Sequence, residues 1–167
     1  MSNVYVAGIA MTVFGRHPER SLEDLAGEAL TRALADAGCI APEIGVAYYS
    51  GMTNGTLQGQ IAIPGQVIFS KIGIEGIPVY NVENACASGS SAFNLAIQSL
   101  RAGTADVALA IGAEKMNIPD KAKAFAIFEG GWDVSRVEEN YATLLKMGDG
   151  ITPPPGSESD KPYSKFM

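Results

Sequence analysis

The chain has 167 residues, 47% of them hydrophobic and 18% charged, and its 12 Lys and Arg against 18 Asp and Glu give a formal net charge of −6. That length suits a single domain able to bury roughly 70% of the surface its unfolded chain exposes, and an acidic balance with scattered basic residues argues against nucleic acid as a partner. The two cysteines, Cys39 and Cys86, match neither a zinc pattern nor a dense disulfide framework, so free thiols, no bound metal and a reducing compartment are expected.

Residues 3–11, NVYVAGIAM, are short, β-branched and apolar, and predict a buried first strand. The opening residues carry no basic leader and no apolar run reaches membrane-spanning length, which makes a cytoplasmic location without a membrane partner the expectation. Ser21 with Asp24 three residues later is a capping-box signal. Leu22, Leu25, Ala26, Ala29, Leu30, Ala33, Leu34 and Ala37 then recur at helical spacing, and Gly38 supplies the stop. After a turn at Pro42, IGVAYYSGM (44–52) predicts a second strand and the Gly-, Thr- and Asn-rich 51–59 a loop. QIAIPGQVIFSKIG (60–73) predicts a helix in which Pro64 marks either a kink or a first turn.

IPVYNVEN (77–84) predicts a third strand, residues 80–100 enter a second long helix, and DVALAIGAEKM (106–116) predicts a fourth strand. The order β-α-β-α-β-α-β implies a layered α/β fold with at least some parallel strands. After Glu114 the composition shifts to mixed charges and aromatics, with a short helix expected from Ser135 to Met147 and a polar, turn-rich tail after it. A core region at 1–116 and a lid or insertion at 117–167 follow.

The stretch YNVENACASGSSAFNLAIQSL (80–100) holds one of the two cysteines and has no charged residue from Asn84 to Leu100. A helix uncharged all round predicts one covered on more than one side. The small residues Ala85, Ala87, Ser88, Gly89, Ser90, Ser91 and Ala92 would admit neighbouring backbone. Cys86 falls where strand becomes helix, and a helix N-terminus, with its unpaired N–H groups, favours the thiolate form in which a cysteine is nucleophilic. The same strand-turn-helix junction exposes nucleophiles in unrelated hydrolases. An inert, buried thiol is the competing reading. Glu83 and Asn84 flank the cysteine and either orient it, shape a pocket, or simply satisfy donors at the helix start.

VENACASGSSAFNLAIQSLRAGTADVALAIGAEKM (82–116) resembles the nucleophile region of thiolases, in the branch of the sterol-carrier-protein-type thiolases and archaeal acetyl-CoA acetyltransferases, and VYVAGIAMTVFGRHPERSLEDLAGEALTRAL resembles that family's first strand and helix. The resemblance implies the N-terminal half of a layered αβαβα fold with a mixed, mainly parallel sheet, and makes Cys86 the residue that takes an acyl group from acyl-CoA as a thioester. It implies no cofactor beyond the CoA thioester used as substrate. Lys115 then becomes a candidate contact for a CoA phosphate, as do Lys121, Lys123 and Arg136, with an exposed charge as the alternative. Phe128 and Trp132 become candidates for lining an acyl tunnel or for packing a lid.

Thiolase chemistry also needs a histidine that activates the cysteine and a second cysteine or its substitute, and the family carries these in a second, similar half. His17, in GRHPERS, lies in the loop after the first predicted strand and reads as a loop residue; Cys39 reads as a helix-end residue. The resemblance therefore points to a C-terminal half supplied elsewhere, as further sequence or as a separate subunit, with a standalone, non-catalysing domain as the third possibility. It also implies a homodimer paired through the edge strand near Val79–Val82, and, by analogy with some relatives, a partner built from a zinc ribbon and an OB-fold. A thiolase-like aldolase, a scaffold subunit and a non-catalytic α/β interaction domain are the alternative functions.

Overall fold

Both halves of the capping box at Ser21 form: its hydroxyl accepts the Asp24 N–H at 3.1 Å while the Asp24 carboxylate accepts the Ser21 N–H at 2.8 Å. This backbone bond, with the hydroxyl beside it, holds the Asp24 carboxyl below its ordinary range. They start helix α1 (Leu22–Ala37), which buries Leu22, Leu25, Ala26 and Leu30 along one stripe. It ends at Gly38, whose φ of 66° lies in the left-handed region that glycine enters without a Cβ penalty. The computed structural model in which these contacts occur describes residues 3–152 together with Pro155.

Strands β1 (Val46–Ser50), β2 (Val79–Val82) and β3 (Ala108–Gly112) form a parallel sheet in the order β2-β1-β3. Val46 is opposite Ala108, and Ala47 is opposite both Leu109 and Val79. β1 lies in the middle and all five of its residues are buried, which is why VAYYS shows no alternation of apolar and polar side chains. Between the strands run α2 (Pro64–Lys71) and α3 (Ser88–Arg101). Pro64 occupies the first turn of α2 and does not kink it.

Successive residues of β1 point to opposite faces and so define two cores. Ala47 and Tyr49 pack with Leu22, Ala26, Leu30, Ile68 and Phe69 on the α1 and α2 side. Val46 and Tyr48 pack with Ala92 and Ala96 of α3 on the other. The result is helix, sheet, helix. The α/β layering expected from the sequence is present, and the three described strands are all parallel where a mixed, mainly parallel sheet was expected.

Two expectations need correction. Residues 3–11 carry strand-like composition but join no ladder among the described residues, and Tyr5 and Ile9 are 77% and 74% exposed. The segment docks instead on α1. The Ile9 N–H donates to the Asp36 carboxylate at 2.9 Å, Arg32 donates to the Met11 carbonyl at 2.8 Å, and a Cβ on Gly8 would stand 2.3 Å from the Ala33 carbonyl oxygen. β propensity reports a fit to a half-buried surface, and no described strand edge lies against this segment to supply one.

Among the described residues, helix α3 is likewise not covered all round. It buries Ser88, Ala92 and Ala96 against the sheet, while Phe93 is 48% exposed and Leu95 37%. A Cβ on Gly89 would meet nothing within 4 Å, so among the described residues no neighbouring backbone closes on the helix at that position. Absence of charge records what a surface tolerates, and the described residues supply a cover for only one side.

The chain divides into two compact units between Ile118 and Pro119. In the second, Asp120 caps α4 (Lys121–Ala126) by accepting the Lys123 N–H at 3.0 Å. Helix α5 (Val137–Met147) follows two short 3-10 turns, one of which, Val134–Arg136, takes up the predicted start at Ser135. Most of the expected turn-rich tail, beyond residue 152, lies outside the described residues.

Candidate functional site

Parallel strands send all their carboxyl ends to one rim of the sheet, where α/β folds place their sites. Here that rim carries the loop after β1, the turn from β2 to α3, and the residues following β3. Cys86 sits in the middle one and is exposed. It is followed by the N-cap Ala87, which has no side-chain acceptor to cap the first turn of α3.

The turn holding Cys86 is closely bonded. Ala85, the residue before it, has a φ of 47°, a left-handed conformation that costs a residue with a Cβ about 1 kcal/mol or more. The Ala87 N–H reaches the Asn84 carbonyl at 2.9 Å and the Ser88 N–H reaches the Ala85 carbonyl at 3.2 Å. The Ser88 hydroxyl accepts the Asn84 N–H at 2.8 Å and donates to the Ala85 carbonyl at 2.7 Å. Asn84 Nδ2 donates to Ser91 Oγ at 2.9 Å, and Glu83 Oε1 accepts the Ala85 N–H at 2.7 Å. Glu83 and Asn84 thus brace the backbone around Cys86. Ser88 and Ser91 belong to the same brace; in the sequence they read only as small residues, although their spacing from Asn84 places both on one helix face.

Beside that turn, the ends of β1 and β3 are tied to each other by polar groups. Glu114 Oε1 accepts the Met52 and Thr53 N–H groups at 2.5 and 3.0 Å, joining the end of β3 to the loop after β1. Tyr49 donates its hydroxyl to the Ala113 carbonyl at 2.8 Å and accepts from Asn54 Nδ2 at 2.6 Å. Burial pushes the Tyr49 phenol up to about 12. Thr53 Oγ1 and Asn54 Oδ1 are buried and meet no partner among the described residues.

The remaining sequence candidates fall elsewhere. Lys115 Nζ donates to the carbonyls of Pro18 and Arg20, so its ammonium pins the loop before α1. Phe128 and Trp132 are half-buried in the second unit, where Phe128 lies 6.4 Å from Phe125 between ring centroids. Lys121 and Lys123 are exposed, and Arg136 pairs with Glu139. His17 Nε2 is 2.8 Å from the Val13 carbonyl within its loop. Cys39 is half-buried at the end of α1 with its Sγ 3.7 Å from the Ala37 carbonyl. Among the described residues, no three His, Cys, Asp or Glu side chains group as metal ligands, and no helix is long and apolar enough to cross a membrane.

Residues 4–148 match the family described as thiolase, N-terminal domain. Sterol carrier protein 2 of Gallus gallus is 38% identical over 125 residues, which are 74% of this chain and 22% of that protein. Acetyl-CoA acetyltransferase of Methanocaldococcus jannaschii is 38% identical over 70% of this chain and 29% of its own length. The chain therefore spans between a fifth and a third of these curated relatives. Among solved structures, OleA of Xanthomonas campestris superposes with a TM-score of 0.54 at 17% identity, over 77% of this chain and 37% of that one. That likeness is one of fold.

Proposed function

Because the chain belongs to the thiolase family, as its N-terminal domain, we propose that it is the nucleophile-bearing part of a thiolase-type acyltransferase whose Cys86 accepts an acyl group from acyl-CoA. The observation that carries the reading is the exposed thiol of Cys86 on a braced, strained turn at the rim where parallel strands end. In the first step Cys86 Sγ attacks the thioester carbonyl carbon, the bond from that carbon to the CoA sulfur breaks, and CoA leaves as a thiol with the proton taken from Cys86. The acyl group then passes either to CoA or to the α-carbon of a second acyl-CoA.

The proton transfers require a base near neutral pK. We assign it to the C-terminal part of the thiolase fold, whether further sequence or a separate subunit, since His17 is engaged in its own loop. Glu83, Asn84, Ser88 and Ser91 act as positioning residues for the turn. Pairing of two copies through β2 is part of the proposal, since β2 is an outer strand of the described sheet. The zinc-ribbon and OB-fold partner has no support from the geometry.

The test is intact-mass analysis of the protein isolated from its source with whatever chains accompany it, after incubation with acetyl-CoA. Acetylation of this chain that is lost in Cys86→Ser is expected. Label that persists in Cys86→Ser, or that maps to Cys39, would show the nucleophile assignment to be wrong. A second reading, a non-catalytic carrier or scaffold, draws on the name sterol carrier protein 2 of one relative. It predicts no label in either form.

A further inference from the structure

Asn54 is the one asparagine of the chain that a glycine follows. That pair is chemically short-lived in an unstructured polypeptide, because glycine has no Cβ to keep its backbone nitrogen from reaching the asparagine side-chain carbon. Attack there forms a five-membered imide and expels ammonia. Water then opens the ring to aspartate or, through the other carbonyl, to isoaspartate.

The fold withholds each requirement of that reaction. Asn54 and Gly55 begin the π-helical turn Asn54–Gln58. The peptide unit joining them is fixed through its own carbonyl, which accepts the Gly59 N–H and, at 3.2 Å, the Gln60 N–H. The side-chain amide is fixed from its other end, since Nδ2 donates to the Tyr49 hydroxyl at 2.6 Å. Asn54 is only 2% exposed, so the water that would open the imide is kept out. Its Oδ1, on which the attack would gather negative charge, is buried and meets no donor among the described residues. Charge forming at such an atom goes unstabilised.

We infer that Asn54–Gly55 is a self-modifying site that the native fold holds shut and that opening of the turn sets off. In the opened turn the Gly55 nitrogen bonds to Asn54 Cγ, the Cγ–Nδ2 bond breaks, and ammonia leaves with the proton of the Gly55 N–H. One water then adds across one of the two imide C–N bonds. The product does not fit the place the asparagine left. An aspartate at 54 sets an oxygen where Nδ2 stood, facing a Tyr49 hydroxyl whose proton is already given to the Ala113 carbonyl. An isoaspartate adds a methylene to the backbone of the turn. Either product unties the loop after β1 from Tyr49, so a transient opening becomes a permanent chemical record. The inference rests on the fold and not on acylation of Cys86, so either can fail alone.

The full chain, held in mildly alkaline buffer either folded or unfolded in guanidinium chloride, tests it by mass spectrometry of the peptide holding Asn54. The unfolded chain should gain at Asn54 the mass difference between an amide and a carboxyl. The folded chain should do so about a hundredfold more slowly, because reaction then waits on opening. Refolding yield of the unfolded sample should fall in step with the modification. Gly55→Ala is the control, since its Cβ would come no closer than 3.5 Å to a neighbour, the Ile61 Cα, and the fold is kept. Held unfolded for the same time, that variant should be modified about tenfold more slowly, because its methyl group hinders the attack, and should keep its refolding yield. Equal rates in the folded and unfolded chains would overturn the shut site, as would an unfolded chain left unmodified at Asn54. A modified chain that refolds with the parent's denaturation midpoint, or a Gly55→Ala chain that loses refolding as fast as the parent, would overturn the permanent record.

Discussion

Replacing Tyr49 by Phe removes one oxygen atom from the best-buried part of the rim. Tyr49 is 1% exposed, and its hydroxyl both donates to the Ala113 carbonyl at 2.8 Å and accepts from Asn54 Nδ2 at 2.6 Å. The ring itself keeps its edge contact with Phe69, at 6.0 Å between centroids and 89° between planes, so packing is little changed. What is lost is satisfaction of two polar groups. Each buried donor or acceptor left without a partner costs about 1–3 kcal/mol, so Tyr49→Phe should destabilise by about 2–6 kcal/mol. Urea unfolding followed by circular dichroism measures it, with an unchanged m value showing that the same surface unfolds. A loss below about 0.5 kcal/mol would refute the argument, because a hydroxyl bridging two buried groups cannot be that cheap to delete.

The same variant has a pH signature. Burial raises the folded phenol to about 12, above the ordinary value of about 10. A folded value above the unfolded one means that the fold favours the neutral phenol. Its contribution is whole below about pH 10 and is lost as pH climbs toward about 12. Tyr49→Phe should therefore flatten the decline in stability across that window, and a variant that declines as steeply as the parent would assign the loss to other groups.

Gly8→Ala should cost about 1–3 kcal/mol and release the Ile9 amide to fast exchange, since the new Cβ would meet the Ala33 carbonyl at 2.3 Å and the Ala37 nitrogen at 2.6 Å. Normal protection of Ile9 in that variant would contradict the docking of this segment on α1. Limited alkylation with iodoacetamide, read by peptide mass, should modify Cys86 well before Cys39, because the first thiol is exposed and the second half-buried. The reverse order would mean that the turn before α3 is closed in solution.

Local signals translated directly into local structure. Ser21 and Asp24 formed their box, Gly38 took its left-handed stop, Pro64 settled in a first turn, and the unalternating VAYYS became a central strand. Each depends on a few neighbouring residues, and so was readable from them. The failures share a different cause. Whether 3–11 pairs, and whether α3 is covered on its second side, depends on surfaces far away in sequence, which composition does not encode. At the candidate site, the place of Cys86 between β2 and α3 was legible from its strand-to-helix setting, and that of Glu83 and Asn84 beside it from adjacency. The commitment of Lys115 to Pro18 and Arg20 was not, because it joins groups nearly a hundred positions apart. Ser88 and Ser91 were hidden by their resemblance to mere spacers.

The middle position of β1 also governs when this fold can form. Its neighbours are Val79–Val82 on one side and Ala108–Gly112 on the other, so neither ladder joins adjacent elements and each closes a loop containing a whole helix. Loop closure must be met before such pairings return any stabilisation, and sheets of this kind assemble slowly. During synthesis α1 and β1 leave the ribosome long before β3 does. Until α3 arrives, Val46 and Tyr48 lack the cover of Ala92 and Ala96, and until β3 arrives one edge of β1 stays open, so the nascent chain must be kept from aggregating through the strand that ends up most enclosed.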